Sequence, residues 1–377
     1  MDLGYIRCDM PLNENEGTDM GYEIDFLPVG EGSKSGDAIA LRYGNLEGTR
    51  AEQTVIVIDG GFTDDGAALV ELINTHYGTE HVDVVLATHP EQDHIKGLET
   101  VLEQLTVGQL WMHQPWAHSA AIKEARSASF KTLELSERLQ ESLTEASDLE
   151  TLAGGKDIPI IEPFTGVATP DKGFFVIGPD RDYYKELLGE MPGKATQAAA
   201  ASLVRKLAEA AQALIPESLT IETLTDAGKT TAQNNSSVIS VLAAEGRMSI
   251  LTADAGMPAL GRAADVLESA GYQPGECKFI QIPHHGSRRN VGPTVLDRFL
   301  GSKGTEDRRG TAFVSAAKEG APKHPAKKVT NAFSRRGYRA HATQGHAKLH
   351  HWEAPDRPGY SSCEPLPLFT YVEQSDE

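Results

Sequence analysis

Apolar positions recur along the chain with two periods, and the period switches repeatedly. Thr54 to Asp59 (TVIVID) is a short β-branched run that stops at Gly60-Gly61, as a buried strand closed by a turn would. Ala68 to Tyr77 (ALVELINTHY) carries its apolar residues at helical spacing. A strand pattern over Asp83 to His89, a helix over Gly97 to Leu105 and a strand over Gln109 to Met112 follow. The alternation resumes near Asn234. SSVISVLA and RMSILTAD read as paired strands around Glu245-Gly246, and ALGRAADVLESAG as a helix closed by Gly271. CKFIQIP is a strand running directly into His284, TAFVSA is another, and PAKKVTNAFSRRG is a helix from Pro325 to Gly337. Strands alternating with helices predict a layered α/β fold, and no solenoid period is visible.

Two stretches break this rhythm. Residues 1–21 are polar and read as a loose N-terminal arm. Residues 117–232 are rich in Ala, Glu, Lys and Ser, with helical patterns at 120–150 and 195–214 and one strand pattern, Phe174 to Gly178. They predict a helix-rich insertion over a site built by the flanking segments, 22–116 and 233–377.

The bulk numbers narrow the class. A chain of 377 residues suits one large domain with insertions or two ordinary ones, and 40% hydrophobic content can fill a sizeable core. No apolar run approaches the roughly 18 residues of a membrane-spanning helix. The N-terminus lacks the basic start and apolar stretch of a secretory signal. Cys8, Cys277 and Cys363 are isolated, so neither a disulfide framework nor a CxxC metal pair is expected, and a reduced cytoplasm is the expected setting. The net charge of −19 argues against indiscriminate binding of long nucleic acid. A small anionic substrate neutralised by metal remains compatible.

Three strand ends carry the candidate chemistry. His89-Pro90-Glu91-Gln92-Asp93-His94 follows the apolar strand VVLA, and strand ends of α/β sheets are where ligands bind. Imidazole and carboxylate together suit divalent transition metals. On its own this run also reads as a polar capping loop. Asp254 ends a second apolar strand, where one carboxylate could bridge two cations; taken alone, it reads rather as an N-cap for the next helix. His284-His285-Gly286-Ser287 ends a third strand, with Gly286 permitting a close backbone approach; alone, it equally suits a solvated surface turn.

Together these runs resemble the metallo-β-lactamase superfamily, and within it the hydrolase domain of the ComEC/Rec2-type DNA-uptake proteins. The likeness covers roughly residues 22–115 and 233–350. It is carried by Val29-Gly30-Glu31-Gly32 with Gly36-Asp37-Ala38, by Ile58-Asp59-Gly60-Gly61 and by His89 to His94. Asn234-Asn235-Ser236-Ser237, Thr252-Ala253-Asp254, Pro283 to Ser287 and the late His324-Pro325 complete it. The resemblance implies an αββα sandwich with a helical insertion. It also implies two divalent ions, zinc or manganese, held by His89, Glu91, Asp93, His94, Asp254, His284 and His285. Asp59 would fix the tautomer of a ligand imidazole, with Asn235 beside it. Glu91 stands where that group usually has Asp, Lys96 where Gly is usual, and Ala253 where Gly is usual.

The chemistry expected is hydrolysis by a water that the cations acidify, with Asp254 bridging, Asp93 orienting the nucleophile and His324 at the phosphate or the leaving group. Lys96, Ser287, Arg288 and Arg289 are the candidate substrate contacts. The leading expectation is a phosphodiesterase or nuclease-like enzyme acting on a small phosphodiester or short nucleic acid. Hydrolysis of a small ester, lactone or phosphorylcholine-type substrate is a second reading, and a non-catalytic metal-binding sensor or partner protein a third. Residues 117–232 offer a lid, a dimer surface or a partner dock. No membrane association is expected.

Overall fold

The computed structural model describes residues 20–118, 143–191 and 214–373, less residues 31, 33, 306 and 321–323. The N-terminal arm up to residue 19, most of the 120–150 pattern and nearly all of the 195–214 pattern lie outside the described residues, as does Cys8.

The first half builds β1 (Gly21–Phe26), β2 (Ala38–Gly44), β3 (Gln53–Gly60), α1 (Thr63–Leu72), β4 (His81–Leu86), α2 (Gln92–Ile95), α3 (Leu98–Gln104) and β5 (Thr106–Trp111). Next come α4 (Thr144–Gly155), β6 (Ile160–Ile161), β7 (Phe174–Gly178), α5 (Arg181–Glu190) and β8 (Leu214–Pro216). The second half supplies α6 (Ala232–Asn235), β9 (Ile239–Ala244), β10 (Arg247–Leu251), α7 (Met257–Ser269), β11 (Phe279–Gln281) and α8 (Pro293–Leu300). It ends with β12 (Gly310–Val314), α9 (Lys327–Arg335), β13 (Tyr338–Ala342), β14 (Lys348–Trp352) and β15 (Tyr371–Glu373).

Two large sheets result, in the orders β14-β1-β2-β3-β4-β5-β6 and β13-β12-β11-β10-β9-β7. Strands β3 to β6 run parallel, as do β10 to β13, while β1, β2, β9 and β7 add antiparallel edges. Side chains alternate across each strand. In β3, Ile56 and Ile58 join an inter-sheet core with Phe26, Trp111, Leu242, Phe279 and Phe313. Val55 and Val57 face the other way, onto Leu69, Leu98 and Val101 from α1 and α3. The second sheet packs its outer face on Ala263 and Leu267 of α7, Phe299 of α8 and Phe333 of α9. Both faces of both sheets are therefore covered, which is why these strands read as near-continuous apolar runs. The layers are helix, sheet, sheet, helix, the αββα sandwich expected.

Two expectations change. The described part of the 117–232 segment is woven into the sandwich: β6 pairs with β5 in one sheet and β7 with β9 in the other. The last long helix begins at Lys327 rather than Pro325. Pro325 is held instead against Gly286, whose added Cβ would lie 2.6 Å from it, and the Ala326 N–H donates to the Gly286 carbonyl at 3.0 Å. Among the described residues no helix is long and apolar enough to cross a membrane.

Candidate metal centre

The carboxyl ends of β3, β4, β10, β11 and β12 open on one rim of the sandwich, and the polar residues gather there. Asp59 lies near the end of β3, His89 three residues past β4, Asp254 three past β10, and His284 and His285 just past β11. Asp254 does not cap the following helix: Gly256 is the N-cap of α7, and no side chain bonds there.

Four imidazoles converge on Asp254 Oδ2. The Nε2 atoms of His94, His89 and His285 stand 3.5, 3.8 and 3.9 Å from it, and that of His284 stands 3.5 Å away. The other nitrogen of each of the first three is engaged. His94 Nδ1 donates to Asp59 Oδ2 at 2.7 Å. Thr88 donates its hydroxyl to Asp59 at 2.6 Å, which leaves Thr88 Oγ1 to accept from His89 Nδ1 at 3.1 Å. His285 Nδ1 donates to the Ser315 carbonyl at 3.1 Å. With Nδ1 donating, Nε2 presents its lone pair, the arrangement that ligand imidazoles adopt.

These lone pairs have no partner in the protein. His89 Nε2, His94 Nε2 and His285 Nε2 are buried without a hydrogen bond, as are Asp254 Oδ1 and Asp37 Oδ1. Each such group costs about 1–3 kcal/mol when left unsatisfied, so five at one spot call for a common partner. Sets of donor atoms from Asp59, His89 and His94, from Asp93, His94 and His285, and from Asp37, His94 and Asp254 each lie within 4.8 Å of one another. A mixed nitrogen and oxygen set of this kind fits a divalent cation.

The electrostatics differ from one imidazole to the next. Burial holds the His89 pKa well below the usual range, in the neutral form that binds metal. Burial works the same way on His94, but the charges of Asp254 and Asp59 outweigh it and hold that pKa well above the usual range. Glu91 is pushed up to about 7, first by burial and then by the charges of Asp254 and Asp93. The cluster is over-supplied with carboxylate.

The backbone is strained where it delivers these groups. Asp59, Ala253, His284 and His285 all have left-handed φ, at 54°, 44°, 48° and 54°. Such conformations cost a non-glycine residue about 1–3 kcal/mol and persist only where surrounding contacts impose them. Gln281 is one of those contacts: its Oε1 accepts from the Thr252 and Ala253 N–H groups at 2.9 Å each, and its Nε2 donates to Asp37 at 2.8 Å. Asn290 is another, donating to the Asp254 carbonyl at 2.7 Å and accepting from His284 Nδ1 at 2.8 Å. Gly36 allows the Asp37 loop in, since a Cβ there would fall 2.2 Å from the Asp93 carbonyl.

The other sequence-marked residues sit around this core. Glu91 stands outside the three donor sets. The His324 ring lies 6.1 Å from that of His284. Lys96 binds Glu99 at 2.7 and 2.8 Å, so its ammonium is not held out towards the cluster. Arg289 is exposed, Arg288 half-buried and Ser287 buried, with the Ser287 hydroxyl accepting from the Arg289 N–H. Asn234, rather than Asn235, touches a ligand-type imidazole, its amide lying 3.0 Å from His284 Nδ1. Asp37, Thr88, Gln281 and Asn290 were not singled out from sequence. A glutamine inside a wholly apolar strand was the visible signal for Gln281.

Residues 49–186 match the model of the metallo-β-lactamase superfamily. The match contains the His89 to His94 loop and stops before Asp254. No curated protein matches the chain. Among solved structures the chain is similar to AbOPH, a hydrolase in the β-lactamase superfamily, at 12% identity and TM-score 0.30. That alignment covers 58% of this chain and 56% of AbOPH, so the chain spans little more than half of that relative. A Thermotoga maritima structure described provisionally as a metallo-β-lactamase aligns at 14% identity and TM-score 0.26, over 49% of this chain and 92% of that one. Likenesses this distant add nothing to the topology above.

Proposed function

We propose that the chain is a metal-dependent hydrolase of the metallo-β-lactamase superfamily, acting on phosphodiester bonds of a small substrate or a short nucleic acid. The observation that carries the hydrolase reading is the convergence of three unpartnered imidazole nitrogens on one buried carboxylate. The phosphodiester preference rests on the ordered likeness of seven motifs to the ComEC/Rec2-type branch.

His89, His94, His285 and Asp254 would hold the cations, with Asp37, Asp93, Glu91 and His284 around them. Two divalent ions, zinc or manganese, suit this donor set and, when bound, supply Lewis acidity and lower the pKa of a water. Asp59, Thr88 and the Ser315 carbonyl hold the imidazole tautomers. Asp93, at the partly open side of the cluster, orients the attacking water and takes its proton. His324 is the proton donor for the leaving oxygen. Arg288 and Arg289 supply cationic contacts to the phosphate.

The test is turnover by the metal-loaded chain of bis(4-nitrophenyl) phosphate, a short single strand, an aryl ester and a lactone. The reading expects hydrolysis of the phosphodiesters and its loss in Asp254→Asn. Turnover of the ester or lactone alone would replace the substrate assignment. Bound metal with no turnover of any of the four would favour the sensor reading.

A further inference from the structure

The opposite rim of the same sheet holds a second feature, independent of the hydrolytic reading. A cavity of about 440 Å³ is lined by Arg247, Lys278, Arg308 and Arg309, with His350 and Trp352 among its walls. Arg247 opens β10, Lys278 precedes β11, and Arg308 and Arg309 precede β12. Asp254 and His284 follow the far ends of β10 and β11, so the two places lie roughly 20 Å apart at about 3.3 Å of rise per residue.

The charge here runs against that of the chain. Acidic residues outnumber basic ones 54 to 35, yet among the described residues no aspartate or glutamate lines this cavity. The cations meet neutral groups instead. Arg308 donates to Thr311 Oγ1 at 3.3 Å and Arg309 to the Leu300 carbonyl at 2.8 Å. The Arg247 guanidinium lies 3.9 Å over the Trp352 ring, and its buried Nε has no acceptor. Burial, and then the charges of Arg247 and its neighbours, hold His350 down to about 3. The positive field is therefore uncompensated, and converging cations in a concave site raise the local concentration of anions.

We propose that this cavity is a second binding site, for a nucleotide-sized organic polyphosphate such as a nucleoside diphosphate. The volume lies within the range of small-molecule sites and exceeds what a bare anion fills. Four cations suit a diphosphate, and the exposed Trp352 gives a planar base an aromatic wall. The guanidiniums bind phosphate by paired, charge-assisted hydrogen bonds.

The test is calorimetric titration of the full chain with ADP, pyrophosphate, adenosine and a short single-stranded oligonucleotide. Saturable 1:1 binding of ADP is expected, tighter than that of pyrophosphate, with none of adenosine. Removing charge-assisted contacts in Arg247→Ala/Arg308→Ala should weaken ADP by at least about tenfold. Arg308→Glu, on an exposed loop residue that leaves folding intact, should also weaken it, while Asp254→Asn should leave it unchanged. Five results would overturn the proposal: no saturable ADP binding; unchanged affinity in both arginine variants; loss of binding in Asp254→Asn instead; pyrophosphate as tight as ADP; or an oligonucleotide binding far more tightly, with a steep salt dependence.

Discussion

Among the groups of charged side chains buried in this sandwich, two are built on opposite principles. Under the β1 and β14 edge, Glu23 and Asp25 are each fully buried, and both are answered. Arg357 donates to Asp25 at 2.7 and 2.9 Å and to Glu23 at 3.0 Å, Arg42 reaches Glu23 at 2.5 Å, and the Tyr77 hydroxyl donates to Asp25 at 2.7 Å. Two carboxylates meet two guanidiniums and the charge closes. At the strand-end rim the carboxylates of Asp37, Asp59 and Asp254 form ion pairs, among the described residues, only with histidines, and lone pairs of Asp37 and Asp254 remain unused. Burial of charge therefore does not mark a site. Several buried groups without internal partners converging on one point do, because natural folds tolerate few such groups.

The contrast predicts where stability and metal affinity separate. The largest effect on folding should come from the answered cluster. Arg357→Ala leaves Glu23 to Arg42 but strands the buried Asp25 carboxylate without a cation, and should cost about 3–5 kcal/mol in urea unfolding, with metal content unchanged. A loss below 1 kcal/mol, on the order of an exposed ion pair, would erase the distinction. The effect next in size is on the other side. Asp59→Ala removes the acceptor that orients His94 and should weaken metal binding by about 10–100-fold. Unchanged affinity in equilibrium dialysis would mean that Asp59 only closes a turn.

His113 sharpens the comparison from a third position. Its ring stacks at 4.2 Å on Tyr184, and both its nitrogens are buried without partners, but no carboxylates converge on it. Burial pulls its pKa down to about 3. A histidine depressed in the folded state stabilises the protein above its unfolded pKa, and that stability is lost as pH falls towards the folded value. Between pH 7 and pH 5 the loss from His113 should be about 2 kcal/mol. His113→Phe should remove that part of the acid sensitivity and leave metal content alone. Metal loss in this variant would show that an unpartnered nitrogen alone is enough to implicate a residue. The smallest effect is expected at Ala253, whose φ of 44° suits glycine. Ala253→Gly should raise stability by no more than about 1 kcal/mol, and a clear fall would show that the left-handed turn is not strained.

Much of the fold and the core of the candidate site were legible in the sequence, for separable reasons. Strands buried on both faces leave long apolar runs, and the parallel ones end in polar residues at one rim. Reading the ends of VVLA, RMSIL and CKFIQIP therefore brought His89, His94, Asp254, His284 and His285 together before any coordinates. Asp37 was visible only within the Gly36-Asp37-Ala38 motif and was given no role of its own, because its loop leads into β2, an element with no polar run at its end. Asn290 has no signal in a linear pattern, since its value lies in joining the Asp254 carbonyl to His284. Lys96 is engaged locally: Glu99 stands one helical turn away and accepts from its ammonium. The basic cavity was invisible, because its cations come from three separate strand starts and alternate with apolar positions.

The central claim is that the unpartnered rim binds metal through Asp254, and elemental analysis tests it most directly. Wild type and Asp254→Asn would be equilibrated with zinc and with manganese, dialysed and measured per chain, with the melting temperature of each metal-free form recorded beside it. Wild type should retain metal, and Asp254→Asn at least about tenfold less, while its metal-free form still unfolds in one cooperative transition. Equal metal content in the two proteins, or none in wild type, would contradict the account.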